Sequence, residues 1–435
     1  MKFYGREEEL SELLKIKKLS MEKSRLTVIT GRRRIGKTSL VHKALENEDF
    51  IYLFVSRISE KLLCQEAQDI IEKYGIRIVG KLTRFKDVLE SLMVYSREHP
   101  VTVMIDEFQD MKYVNESIFG DIQNVWDSNK DDSHINLIVS GSVLSMMNKI
   151  FENEKEPLFG RPTNKIELGP LPIEIMKMVL LDHNPRYENS DLLTFYMLTG
   201  GVPLYMELLM DNGATDSESM LEAATSNGSV FVWEGRNILI SEFGKDYRVF
   251  FSILQLISSG KVTRSEMEGV LGVELGAYLK ILEEDYHVIK HITPIFSKPN
   301  SRSTRWTISD MYLRFFFRFV HPMASLVESG RFDLLRRGID SSLSDYEGWV
   351  LEDYFRTRIA EEDTYTEIGS YWNRKGDVEI DIVVLDDIGH RARVIEVKRN
   401  PKKINIQLLK NKADVLKPDL KPYDVSFEGL STNDM

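Results

Sequence analysis

The chain of 435 residues holds one cysteine, no apolar run long enough to cross a bilayer, and no overall surplus of basic charge. Each absence excludes something. A lone thiol, Cys64, forms neither an internal disulfide nor a thiolate metal cluster, which fits a reducing compartment, and it reads as a small buried hydrophobe on a helix. The longest apolar stretch, VFFSILQLI from Val249 to Ile257, falls well short of the roughly 20 residues a membrane helix needs. The opening MKFYGREEELSELL has no signal-peptide core. A cytoplasmic protein without a membrane partner is therefore expected. The net charge of -11 argues against a uniformly basic surface, while 42% hydrophobic and 29% charged residues suit a folded chain of about three domains.

What is present begins with VITGRRRIGKTSL, Val28 to Leu40. An apolar strand runs into a gapless G-x-x-x-x-G-K-[ST], spanning Gly31, Arg32, Arg33, Arg34, Ile35, Gly36, Lys37 and Thr38, with Ser39 opening the next helix. Glycines allow a tight loop whose N–H groups cradle phosphate, Lys37 reaches the outer phosphates, and the Thr38 hydroxyl can ligate Mg2+. The partner acid is expected at the end of another buried strand, and VTVMIDEF supplies it. Asp106 would hold Mg2+ and Glu107 would polarise the attacking water, since phosphoryl transfer asks mainly for positioning and charge stabilisation. One more strand, FIYLFV (Phe50 to Val55), lies between these motifs, and INLIVSGS follows them.

That order resembles the AAA-like branch of P-loop ATPases. The resemblance places a hydroxyl sensor of the γ-phosphate at Ser140 or Ser142, with Ser142 taken as the candidate. The motifs FYGREEEL, GRRRIGKTS, MIDEFQDM, VSGS, PLFGRPT and TGGVPLY, in this order, resemble an archaeal-type ATPase family related to STAND and origin-recognition ATPases. Later, WTISDMYLRFFFRFV and GDVEIDIVV…VIEVK resemble its companion C-terminal domain, DUF234. The resemblance implies Arg6 near the adenine end, Arg161 as an arginine finger toward a neighbouring subunit of a homo-oligomer, and Pro203 at a lid position. The plainer alternatives are a charged helix start, a loop arginine paired with a nearby acid, and a helix-starting proline. No second sensor arginine is evident.

Residues 1–170 thus read as an ATPase core and 171–240 as a helical lid. Residues 241–325, three helices and a hairpin, read as a winged helix-turn-helix. Its would-be recognition helix, VELGAYLKILEED, is mostly acidic, which favours protein contact or nucleotide sensing over major-groove readout, with Lys298, Arg302 and Arg305 on the wing as candidate phosphate contacts.

Residues 326–435 carry the second candidate site. Ile380 to Leu385 and Ala392 to Lys398 alternate in polarity around DDIGHR and predict a hairpin. If its turn centres between Ile388 and Gly389, Asp381 faces Glu396, Glu379 faces Lys398, and Asp381, Glu396 and Lys398 share one face. This resembles the Asp…Glu-x-Lys core of the PD-(D/E)xK nucleases, in which an upstream helical glutamate, here Glu352, joins Asp381 and Glu396 as a metal ligand. From Arg391 to Lys417 the local charge balance is +7, a candidate contact for DNA phosphates or a solvated helix face. The expectation is an α/β ATPase using ATP and Mg2+, with a restriction-endonuclease-like final domain that either processes DNA under ATP control or sits silent in a nucleotide switch.

Overall fold

A computed structural model describes residues 1–435 apart from Val79, 244–246, 299–302 and Asp363, and without the side chains of Ile238 and 241–243. Arg302 of the wing therefore lies outside the described residues. The chain divides into two compact units, Lys2–Pro170 and, with Met1, Leu171–Met435. Among the described residues, no helix is long and apolar enough to cross a membrane.

The first unit is an α/β layer structure around a parallel sheet. Its strands are β1 (Arg25–Thr30), β2 (Ile51–Phe54), β3 (Val101–Asp106), β4 (Ile135–Gly141) and β5 (Asn164–Glu167), in spatial order β2-β3-β4-β1-β5. All the pairings are parallel. Parallel strands covered on both faces read as continuous apolar runs. Every residue of β4 is indeed buried, as are all but the first of β1 and β3. The extra strand between the lysine loop and the acidic strand in sequence is the edge strand β2. In space, β4 separates β1 from β3. Helices Glu60–Lys73, Phe85–Tyr95 and Ile118–Asn129 supply Leu63, Leu89 and Trp126 to a core shared with Val103, Ile105 and Val139. Each such side chain removed from water contributes about 1.5–3 kcal/mol.

The second unit opens with helices from Ile173 to Phe243. Helices Tyr247–Ser258, Arg264–Leu271 and Gly276–Lys280 follow, then the antiparallel hairpin β6 (Ile289–Ile292) and β7 (Arg305–Ile308), with Ile289 opposite Ile308. Thr263 starts the second of these helices with a reciprocal cap to Glu266. A helix of 30 residues, Phe332–Glu361, leads into a four-stranded sheet of β8 (Glu367–Trp372), β9 (Glu379–Asp386), β10 (Arg391–Val397) and β11 (Asp424–Leu430), ordered β11-β10-β9-β8. The last twenty residues carry no motif, yet β11 pairs in parallel with β10 after a crossover containing helix Ile406–Ala413.

Within this unit the buried Arg314 ties the hairpin to the long helix. Its guanidinium donates to the Ile308 carbonyl at 2.6 and 3.2 Å and stacks 3.3 Å from the Trp349 ring. Nη1 finds no partner, so the buried charge depends on these bonds, the ring and the neighbouring Asp353 carboxylate, which is left uncompensated if the guanidinium is removed. Arg314→Met should therefore cost about 3 kcal/mol, read as an earlier urea midpoint for the second unit; an unchanged midpoint would contradict this account.

Candidate functional site

Parallel strands end together, so the loops after β1, β3 and β4 meet at one sheet edge. Thr30 feeds the loop Gly31–Gly36, and α2 (Lys37–Ala44) begins at the lysine. Gly31 sits at φ +145°, where a Cβ would come 2.6 Å from the Leu168 carbonyl. Arg34 and Gly36 also take positive φ, 73° and 91°. A non-glycine residue there costs about 1–2 kcal/mol, and such strain clusters at functional loops. Lys37 is buried and donates to the carbonyls of Gly31 at 2.8 Å and Arg32 at 3.2 Å. Ile35 is buried inside the loop, whereas Arg33, Arg34 and Ser39 are exposed.

Asp106 is the centre of this edge. Its Oδ2 accepts from Thr38 Oγ1 at 2.8 Å and from Tyr52 at 3.0 Å. Its Oδ1 accepts from the Glu107 N–H at 3.0 Å and from the fully buried Ser140 hydroxyl. Burial, then the adjoining Asp106 charge, raises the Tyr52 phenol well above its ordinary pKa, so it stays a donor. Glu107 stands at φ 53°, and its Oε2 accepts from Gln109 at 2.5 Å and Ser142 at 2.8 Å. Of the two candidate sensor serines, Ser140 thus faces Asp106 and Ser142 faces Glu107. Thr38 and Asp106 present hard oxygens within hydrogen-bond distance of each other beside the phosphate loop, a donor pair that suits Mg2+. Tyr52 and Gln109 were missed in the sequence. The one hint was a phenol inside an apolar strand and an amide two residues beyond Glu107.

The remaining candidates of this unit lie further out. Arg6, at φ 70°, caps α1 (Glu7–Ser20), pairs with Glu9 at 3.0 Å and donates to the Gly169 carbonyl. Arg161 donates to the Phe159 carbonyl at 2.7 Å and Asp127 at 3.1 Å, so the pairing with a nearby acid is present. It lines a cavity of about 550 Å³ with Lys23 and Arg25, at the start of β1. The phosphate loop leaves the other end of that strand, about 20 Å away. Arg161 therefore cannot touch its own chain's phosphate loop. Pro203 opens helix Pro203–Asp211 in the second unit.

The second unit gathers the other set. β9 and β10 pair from Arg391 opposite Asp386 to Ile395 opposite Ile382, the register expected from the turn. The ladder stops there. The Asp381 carboxylate takes the Val397 N–H at 2.8 Å instead, and Glu379 turns to Arg305 at 2.6 Å rather than facing Lys398. Arg305 also stacks on Trp372 at 4.3 Å, which removes it as an open phosphate contact. Lys398 Nζ lies 3.3 Å from Asp381 Oδ2 and 3.6 Å from Glu396 Oε1, and the buried Glu396 accepts from the Asn405 N–H at 3.0 Å. Burial lowers the Lys398 pKa, but Asp381 and Glu396 outweigh it and the net shift is upward. Glu352 projects from the long helix toward the same group. Burial, then the Asp381 charge, lifts its carboxyl well above the usual range.

Among the described residues, no three His, Cys, Asp or Glu side chains are grouped to hold an ion. The Lys398 ammonium supplies the cation for Asp381 and Glu396. Above it opens a polar cleft of about 910 Å³, lined by Ser344, Glu352, Lys398, Arg399 and Lys403 among others.

The +7 segment is largely neutralised by the fold. Arg393 pairs with Glu428 at 3.0 Å, Arg399 with Glu347 at 2.7 Å and Arg391 with Asp386 at 2.8 Å, leaving Lys402, Lys403 and Lys410 exposed.

A carboxyl raised by folding favours the native state at low pH and loses that advantage as pH rises. Glu352→Gln should match the wild-type melting temperature below about pH 4.5 and exceed it increasingly above; a gap independent of pH would show that Glu352 is not held neutral.

Comparison with known proteins agrees with this geometry. Residues 3–209 match a family of ATPase domains predominantly from Archaea, and residues 316–409 match DUF234, archaeal and bacterial proteins of unknown function. An uncharacterized protein of Methanocaldococcus jannaschii is 28% identical over 408 residues, 91% of this chain and 87% of that one. In structure, the chain is similar to a Walker-type ATPase of Pyrococcus abyssi, with a TM-score of 0.55 and 20% identity over 73% of this chain and 96% of that one. It is also similar to the ORC2 protein of Aeropyrum pernix in its ADPNP–ADP complexes, with a TM-score of 0.53 and 16% identity over 78% and 96%. The chain is therefore an ATP-binding P-loop ATPase, similar on residues 3–209 to ATPase domains found predominantly in Archaea and on residues 316–409 to the DUF234 proteins.

Proposed function

We propose that the protein is an ATP-regulated DNA-processing factor, in which ATP turnover in the first unit governs a nuclease-like cleft in the second. The observation that carries the reading is the convergence of Asp381, Glu396 and Lys398 beneath a cleft that also offers Arg399 and Lys403. In the ATPase, Lys37 and the loop Gly31–Gly36 hold the phosphates, and Thr38 and Asp106 hold Mg2+. The ion supplies charge neutralisation on the phosphate oxygens. Glu107 orients the water for in-line attack, Ser142 reads the γ-phosphate, and Arg6 borders the nucleotide. Arg161 acts only on the nucleotide of a second copy, in a homo-oligomer. The helices and hairpin from 241 to 325 serve as a winged module for protein contact, in keeping with exposed Glu274, Glu284 and Asp285. The final sheet is read as the PD-(D/E)xK type.

A second reading has its own observation. Lys398 already sits between the two carboxylates, which suits a DUF234 domain that is catalytically silent, in a STAND-like nucleotide switch controlling assembly. Labelled DNA incubated with Mg2+ or Mn2+, with and without ATP, separates the two. Cleavage that depends on ATP and disappears in Glu396→Ala supports DNA processing. Absence of cleavage on single-stranded, duplex and branched DNA, together with nucleotide-dependent oligomerisation, supports the switch.

The ATPase assignments are tested apart from this. Lys37→Ala should lose high-affinity ATP binding, and retention of binding would remove the loop's role. Glu107→Gln should bind ATP normally and turn it over at least about a hundredfold more slowly; wild-type turnover would rule it out as the water-orienting group.

A further inference from the structure

We propose that Tyr52 and Gln109, both outside the phosphate-binding motifs, are positioning residues that hold the two acids of the ATP site to separate tasks: Tyr52 orients Asp106, and Gln109 orients Glu107. The inference rests on the reading of Asp106 as the metal-side acid and Glu107 as the water-orienting one.

Tyr52 is brought to the site by the β2–β3 pairing, which sets it opposite Met104, two residues before Asp106. Its ring is braced from α2, where His42 lies 6.0 Å from Tyr52 and 5.0 Å from Phe50. His42 follows Thr38 by four residues, so the two occupy one face of α2. The brace and the metal-side hydroxyl thus move together. The phenol and Thr38 donate to the same oxygen, Asp106 Oδ2, at 3.0 and 2.8 Å. A threonine that turns a lone pair to a cation can still keep its O–H on Asp106, and the phenol, donating to the same oxygen from another strand, keeps that carboxylate aimed. A hydrogen bond behind a metal ligand fixes its direction and tunes its affinity.

Gln109 does the corresponding work for Glu107. It is 2% exposed and donates Nε2–H to Glu107 Oε2 at 2.5 Å. Its own Oε1 is buried without a hydrogen-bond partner, a state that costs about 1–3 kcal/mol. That oxygen lies against Gly141, where any Cβ would collide with it. The end of β4 therefore keeps room for an unpaired acceptor beside the acid read as polarising water.

The two roles separate in experiment. Mn2+ titration by electron paramagnetic resonance, in the presence of a non-hydrolysable ATP analogue, reports metal affinity without turnover. Tyr52→Phe should weaken Mn2+ binding about tenfold while analogue binding in EDTA is unchanged. Gln109→Leu should leave both affinities unchanged and lower kcat about tenfold or more with KM constant. Gln109→Met, of similar volume, repeats the test if the leucine variant fails to fold. Asp106→Asn and Glu107→Gln are measured beside them. Wild-type Mn2+ affinity in Tyr52→Phe, where Asp106→Asn has lost it, would overturn the role of Tyr52. Wild-type kcat in both Gln109 variants, where Glu107→Gln is slow, would overturn that of Gln109. An Asp106→Asn protein that binds Mn2+ normally, or a Glu107→Gln protein that turns over normally, would instead bring down the underlying assignment and this inference with it.

Discussion

The ATPase unit depends on one constraint, the parallel pairing of β3, β4 and β1. Parallel strands finish at the same edge, so three stretches far apart in sequence deliver the phosphate loop, the acidic pair and the two serines side by side. The Asp106 carboxylate joins them. Four donors, from α2, β2, β4 and its own following N–H, converge on its two oxygens. Gln109 and Ser142 answer in the same way to its neighbour Glu107. Glycine at 141 is required because the amide of Gln109 and the side chain of Met147 occupy the space a side chain would need.

In the second unit the corresponding member is helix Phe332–Glu361. One face touches several neighbours in turn. Trp349 receives Arg314 from below the hairpin, Asp353 accepts from Tyr196 at 2.8 Å, Arg356 donates to the Asp381 carbonyl at 3.0 Å, and Glu361 accepts the Ile173 N–H at 3.0 Å. Glu352 sits within that sequence of contacts. Its raised pKa follows from the enclosure that lets one helix serve the bundle, the hairpin and the sheet at once.

Charge behaves differently in the two units. At the ATP edge, carboxylates are met by neutral donors, hydroxyls and amides, which leaves their negative charge available to a cation. In the second unit the carboxylates Asp381 and Glu396 are met by the ammonium of Lys398, and Arg305, Arg393 and Arg399 are similarly matched by Glu379, Glu428 and Glu347. Ion pairs of this kind, half-buried, hold geometry more than they add stability. Those of Lys398, Arg393 and Arg399 also take up part of the +7 balance of their segment.

The phosphate loop, the acidic pair and the alternation of the C-terminal hairpin were determined by the sequence itself, because each is a local pattern: a glycine spacing, an apolar run ending in acids, a period of two around a turn. Even the register of β9 with β10 followed from the turn, since antiparallel neighbours close together along the chain leave little choice. What lies across the chain was decided by tertiary structure alone. Tyr52 carries no motif and Gln109, although inside MIDEFQDM, no role that its spacing reveals; both reach the acids through strand pairing and burial, while Arg305 and Arg399 found carboxylates whose positions no local spacing encodes. The parallel strand β11 escaped the sequence reading for the same reason, because its partner β10 lies 27 residues or more away and is reached only through a helical crossover.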